Sequence, residues 1–170
     1  MNKGFLLRFF LFFAAAFGAI FLFVWFYLSV TAPANAAEPT PATSEAITFE
    51  TGQVQIRSRS GRAYSVNVEI ATSPEQQSQG LMHRTALAEN SGMLFIYRPP
   101  RRIAMWMKNT LVPLDMLFAS RNGTIFHIAE NTEPMNEDLI APPGVVAYVL
   151  EVPAGTAKRL GIHTGDHLVR

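Results

Sequence analysis

An almost unbroken apolar run from Phe9 to Val30 limits what this chain can fold into, because it takes the first part of the sequence out of any water-soluble core. At about 1.5 Å per helical residue it would extend roughly 33 Å, enough to cross a bilayer. Lys3 and Arg8 stand at its start, and Ala34-Asn35-Ala36 follows as a small-x-small cleavage signature. Two readings stay open. A cleaved export signal accounts for the small residues and for Pro33, which ends a helix. An uncleaved anchor accounts for the length of the run and for Trp25 and Tyr27 near its far end, since amphipathic rings settle at interfaces. Under either reading the positive end stays inside. Residues 1–36 are thus expected to be a signal peptide or membrane anchor. The rest is expected to be exported, either periplasmic or held at the outer face of the inner membrane, with membrane contact through this segment alone.

Setting that segment aside changes the composition. Nine of the 13 Phe lie between Phe5 and Phe26, and the remaining chain carries 12 basic against 13 acidic side chains. Electrostatic capture of nucleic acid needs a clustered basic face, so no nucleic-acid partner is expected. The chain has no cysteine, which excludes disulfides, thiolate zinc sites and a Cys nucleophile. Residues 37–46 are small, polar and Pro-containing, and read as a flexible linker. Residues 47–170 are enough for a single β-rich domain.

Within that domain Tyr64, Val66, Val68 and Ile70 alternate with Ser65, Asn67 and Glu69, the pattern of a strand with one buried face. Together with 53–59 across Ser60-Gly61 it predicts a hairpin. Ser73-Pro74-Glu75-Gln76 carries a capping box and predicts a short helix to about Met82. Gly92 to Tyr97 predicts a buried strand stopped by Pro99-Pro100, and Ile103 to Met107 another strand. Asn122-Gly123 between two apolar runs, 114–118 and 124–128, is a strong hairpin signal. A polar, Pro-rich loop over 132–144, a strand over 145–152, a short helix over 154–160 and a strand over 166–169 complete the reading. Many short strands and two short helices, without regular strand–helix alternation, predict a mainly β domain. It is expected to be a compact antiparallel β-barrel or sandwich.

The segment from Met105 to Phe118 sets Lys108, Asn109, Thr110 and Asp115 within long apolar sequence, and Glu151 interrupts Val149-Leu150-Glu151-Val152 in the same way. Charges are rarely buried unpaired, so Lys108 is expected to meet Asp115 or Glu151. Strand alternation would put Trp106, Lys108 and Thr110 on one face, an indole beside an ammonium as the floor for a polar ligand. A structural ion pair explains the same residues. So does Glu151 facing solvent. Asp115 and Glu151 as a pair of hydrolytic carboxylates would need to flank one cleft. Six of the seven methionines lie between Met82 and Met135, which raises Cu(I) binding through thioethers against ordinary core filling. No nucleophile, phosphate-loop or dinucleotide motif is present, and no cofactor, metal or catalytic residue is assigned. Arg98, Arg101 and Arg102 form the one compact basic cluster, either solvated or contacting an anion or lipid headgroup.

The segments Gln79-Gly80-Leu81-Met82-His83-Arg84, Gly92-Met93-Leu94-Phe95, Trp106-Met107-Lys108-Asn109-Thr110, Val112-Pro113-Leu114-Asp115-Met116-Leu117-Phe118 and Tyr148 to Gly155, on through Gly165-Asp166, resemble in order and spacing the domain of unknown function 192 family. The resemblance spans about 54–169. It implies a compact, mainly β domain, often behind an export signal, and brings no established activity or catalytic residue. Met105 departs from it, where an aromatic residue often precedes the tryptophan. The expected function is non-catalytic binding, in the cell envelope, of a small polar ligand or an envelope protein through Trp106, Lys108, Asn109, Asp115 and Glu151. The alternatives are an envelope hydrolase using Asp115 and Glu151, or a Cu(I)-handling protein using methionines.

Overall fold

The computed structural model describes residues 46–170; the expected leader, and the linker but for its last residue, lie outside them. Seven strands form one sheet: β1 (Glu50–Arg57), β2 (Ala63–Ala71), β3 (Ser91–Arg101), β4 (Leu114–Ala119), β5 (Ile125–Thr132), β6 (Val146–Pro153) and β7 (His167–Val169). Helix α1 (Pro74–Gln79) follows β2, and α2 (Thr156–Leu160) follows β6. No helix among the described residues is long and apolar enough to cross a membrane.

The strand order is β5-β4-β6-β3-β2-β1-β7. All pairs are antiparallel except β2–β3, where the connection through α1 returns the chain to the end it started from. The sheet curls into a half-barrel, and its edges meet over a short stretch. There Thr124 bridges His167, and the Leu168 N–H donates to the Gly123 carbonyl at 2.8 Å. Gly123 has φ +86, and a Cβ on it would collide with the Leu168 carbonyl. The Asn-Gly turn therefore serves both the β4–β5 hairpin and this closure.

Alternation divides the apolar residues between two cores. Val54, Ile56, Val68, Leu94, Leu150 and Leu168 belong to a cluster drawn from all seven strands, the inside of the curl, with Ala157 of α2 and Ile162 packed into it. Met93, Phe95, Met116, Phe118 and Val149 point the other way into an outer core. Three loops (80–90, 102–113 and 133–145) contribute Leu81, Met107 and Ile140 to that outer core, so it is roofed by loops where a sandwich would have a second sheet.

The sequence expectations hold in outline and fail in two places. The capping box at α1 is present: the Gln76 N–H donates to Ser73 Oγ at 3.2 Å, and the Ser73 N–H donates to Gln76 Oε1 at 3.1 Å. Strand β3 is not stopped by Pro99-Pro100 but runs on to Arg101, with a register shift against β6 between Ile96 and Arg101 that accommodates residues lacking N–H groups. Residues 103–107 are not a strand. Only Met105 pairs, in an isolated bridge with Ile140 of the opposite loop, because β6 already fills the sheet position beside β3.

Candidate functional site

The register of β4 against β6 decides where the two expected carboxylates go. Asp115 pairs with Val152, and Met116 pairs with Glu151. Directly opposed residues share a face and successive residues alternate, so Asp115 and Glu151 leave opposite faces of the sheet. They cannot flank one cleft. The geometry overturns the paired-carboxylate hydrolase.

Asp115 lies on the inner face and is fully buried. One carboxylate oxygen accepts the Asn131 N–H at 2.8 Å, and the other accepts the Ala157 N–H in the first turn of α2 at 2.8 Å. Both oxygens are thus occupied by backbone donors, one of them at the positive end of a helix. The carboxylate ties β4, β5 and α2 together and has no opening to a ligand, which corrects its expected role in binding.

Glu151 lies on the outer face, 4 % exposed, with Met93 and Met116 beside it on the neighbouring strands. It has no hydrogen bond to a described residue, and burial pushes its carboxyl up to about 8. At neutral pH it is mostly protonated. The Tyr97 hydroxyl is also pushed up, first by its own burial and then by the Glu151 charge, against the Arg101 guanidinium 4.8 Å over its ring.

Trp106, Lys108 and Asn109 belong to the loop roof. Lys108 meets neither Asp115 nor Glu151. Its ammonium lies 3.6 Å from Glu137 of the 133–145 loop and 5.1 Å from the centre of the Trp106 ring. Trp106 is 43 % exposed, whereas Thr110, expected on the same face, is buried. Residues 108–109 form a turn with Asn109 at φ 54, which breaks the expected alternation. The Asn109 carbonyl accepts the His83 N–H at 2.8 Å, Met107 donates to the Asn136 carbonyl at 2.9 Å, and Met135 donates to the Thr110 carbonyl at 3.0 Å. His83 and Met135 also have positive φ, so each of the three loops holds one non-glycine residue in the left-handed region.

The five expected residues therefore separate into a surface group (exposed Trp106 with half-buried Lys108 and Asn109), a protonated acid in the outer core (Glu151) and a sealed strut (Asp115). A cavity of about 820 Å³ is an open groove along β1, β2 and the 80–90 loop that contains the Arg84–Glu69 ion pair; none of the five lines it. Two smaller hollows, of about 330 and 320 Å³, exclude them as well. Met93, Met107 and Met116 are buried as packing in the outer core. The Met107 sulfur accepts the Thr132 hydroxyl at 3.2 Å and the Met105 sulfur accepts the Tyr97 hydroxyl at 3.5 Å, so these thioethers are not held free for a metal. Among the described residues no group of three or more His, Asp or Glu is arranged to hold a metal ion.

Sequence reasoning passes over Glu137 and Leu139, and weighs Met135 only as one of the methionines. The available signal was Leu139, an apolar residue in an otherwise polar loop, which is 69 % exposed.

Fold and site together define a curled β half-barrel whose outer core is roofed by interlocked loops carrying exposed apolar side chains. Residues 54–169 match the family model described as "Uncharacterized ACR", DUF192, and the chain belongs to this domain of unknown function 192 family. It is similar to a crystal structure from Sinorhizobium meliloti 1021, named as a candidate transcription regulator, with 46 % identity, TM-score 0.71, and coverage of 73 % of this chain and 96 % of that one. It is also similar to a protein of unknown function from Novosphingobium aromaticivorans DSM 12444, with 33 % identity, TM-score 0.69, and coverage of 76 % and 89 %. No curated protein matches the chain.

Proposed function

We propose that this protein is an exported, non-catalytic module of the cell envelope that binds an envelope protein through its loop roof. One observation carries the reading. Among the described residues, five of the six exposed large apolar side chains (Trp106, Leu111, Met135, Leu139 and Val145) belong to two loops joined by backbone hydrogen bonds. An exposed tryptophan and methionine on a braced surface are what a protein–protein contact uses, because little ordering entropy remains to be lost on binding. None of the three hollows described above is lined by Trp106, Lys108 or Asn109, which favours a protein over a small polar ligand there. The basic start, apolar run and small-residue site of residues 1–36 support export.

Photo-crosslinking in cells tests this. A crosslinking residue placed at 106 or 139 should give one discrete adduct, and one placed at Ser65, exposed on β2, should give none. Leu139→Asp should abolish the adduct formed from position 106. Equal labelling from position 65, or no adduct from 106 and 139, would refute the binding reading. Residues 1–46 fused to a reporter active only outside the cytoplasm should yield activity, and an inactive fusion would refute export.

A further inference from the structure

The half-barrel has unlike ends. Helix α2 and the segment after it close the end that holds Asp115, with Ala157 and Ile162 inserted in the inner core. At the other end, beside the β4–β5 turn, lie the two smaller hollows, and neither helix lines either of them. They share Arg121 and Tyr148. The first is floored by Val54, Leu94 and Leu168 of the inner core, with Arg170 at its edge; the second adds Arg98 and Ile96. Tyr148 pairs with Ile96 across β6 and β3, and Arg98 follows Ile96 at the alternation step that keeps it on the inner side. Three arginines thus line two adjoining hollows at this mouth, Arg121 in both, Arg170 in the first and Arg98 in the second; no Asp or Glu side chain lines either, and none of the three arginines makes an ion pair or side-chain hydrogen bond among the described residues.

We infer that this mouth is a binding site for a small oxyanion, phosphate or carboxylate, carrying a short apolar stem. Guanidinium forks suit such an anion in shape and charge, and three of them against the single main-chain carboxylate of Arg170 leave net positive charge at the entrance. Val54 and Leu94 below offer the stem an apolar floor, and barrel mouths are a recurrent place for small-ligand sites. The hollows match the lower end of ligand-pocket size. This site is separate from the loop roof, and either can fail without the other.

The full chain, held in phosphatidylcholine nanodiscs, can be titrated with inorganic phosphate, butyl phosphate and pentanoate by ligand-observed NMR. Butyl phosphate should bind at least about tenfold more tightly than inorganic phosphate, and rising salt should weaken it. Arg121→Ala removes the guanidinium common to both hollows and should cost about tenfold or more, since hydrogen bonds to charged groups are among the stronger ones. Arg98→Ala should also weaken binding. Arg159→Ala, exposed on α2, should leave it unchanged. Adding phosphatidylglycerol to the nanodiscs assigns the anion to a lipid headgroup if it competes through Arg121, and to a soluble molecule if it does not. Equal affinity for butyl and inorganic phosphate, or full affinity in both Arg121→Ala and Arg98→Ala, would overturn the inference.

Discussion

Replacing Glu151 by Gln should make the domain more stable at neutral and alkaline pH, and the margin should grow with pH. The folded carboxyl holds its proton up to about pH 8, against an ordinary value of 4.5, because the outer core desolvates it. The folded state therefore binds one more proton than the unfolded state across that window. The sign follows: the favourable contribution is complete below pH 4.5 and is lost as pH rises through 8. Each pH unit inside the window is worth about 1.4 kcal/mol, so wild type gives up about 3 kcal/mol between pH 4.5 and 7 from this group. It gives up about 5 kcal/mol in all once above pH 8. Glutamine has nearly the same shape and no proton to lose. Urea unfolding of both proteins from pH 4 to 9 isolates the term, since every other titrating group cancels in the difference. The two stabilities should lie close together at pH 4 and diverge in favour of Glu151→Gln above pH 5. A difference that stays flat with pH, or a variant less stable at pH 8.5, would refute the placement of a lone acid in this core.

The remaining predictions test other parts of the structure. Asp115→Ala leaves the Asn131 and Ala157 N–H groups buried without their acceptor and should lower stability by about 2–5 kcal/mol, read as a fall in urea midpoint. Trp106→Ala should fold with stability within about 1 kcal/mol of wild type, because the ring is already partly in water, while losing the crosslinked partner. Gly92→Ala sets a Cβ against the Glu151 backbone carbonyl and should reduce soluble yield and thermal midpoint far more than Gly61→Ala, which meets no neighbour and carries only the strain of its positive φ. Ser73→Ala removes the side-chain acceptor of the Gln76 N–H and should cost about 1 kcal/mol by thermal unfolding.

How much of this was legible in the sequence depends on whether the signal was local. The β1–β2 hairpin, the capped helix α1 and the Asn122-Gly123 turn rest on alternation, caps and turn residues within a few positions of one another, and all three form. The parallel pairing of β2 with β3 carries no local mark, since it depends on where a crossover lands. The stretch at 103–107 has a strand's composition but no free sheet position to occupy. For the site, the same composition that drew attention to Lys108, Asp115 and Glu151 could not say which face each would take. Lys108 escapes burial because Asn109 turns the chain with positive φ, and asparagine is among the few side chains that tolerate it. Tyr148 and Arg121 looked like ordinary strand and loop residues, and Arg98 stood out only as part of a basic cluster with Arg101 and Arg102; the curl of the sheet is what brings Arg98, Arg121 and Tyr148 around one mouth.

Two isolated carboxyl groups in one apolar sheet solve the problem of burial in different ways, and the contrast bears on function. Asp115 has a backbone donor fixed on each oxygen, one from β5 and one from α2, and removing them would mean undoing both elements. Glu151 has no such donors among the described residues and stays in place by keeping its proton. A buried acid of this second kind stores a response: deprotonation places a charge beneath Tyr97 and the loop roof, where nothing described compensates it, and weakens that layer before the inner core feels it. Hydrogen exchange compared at pH 6 and pH 9 should therefore show faster opening at Met105, Met107 and Ile140, whose N–H groups hold the roof together, while Val68 and Leu150 of the inner core stay protected. In Glu151→Gln that selective loosening, measured after correction for intrinsic exchange rates, should vanish; if it persists, the roof answers to pH through some group other than Glu151.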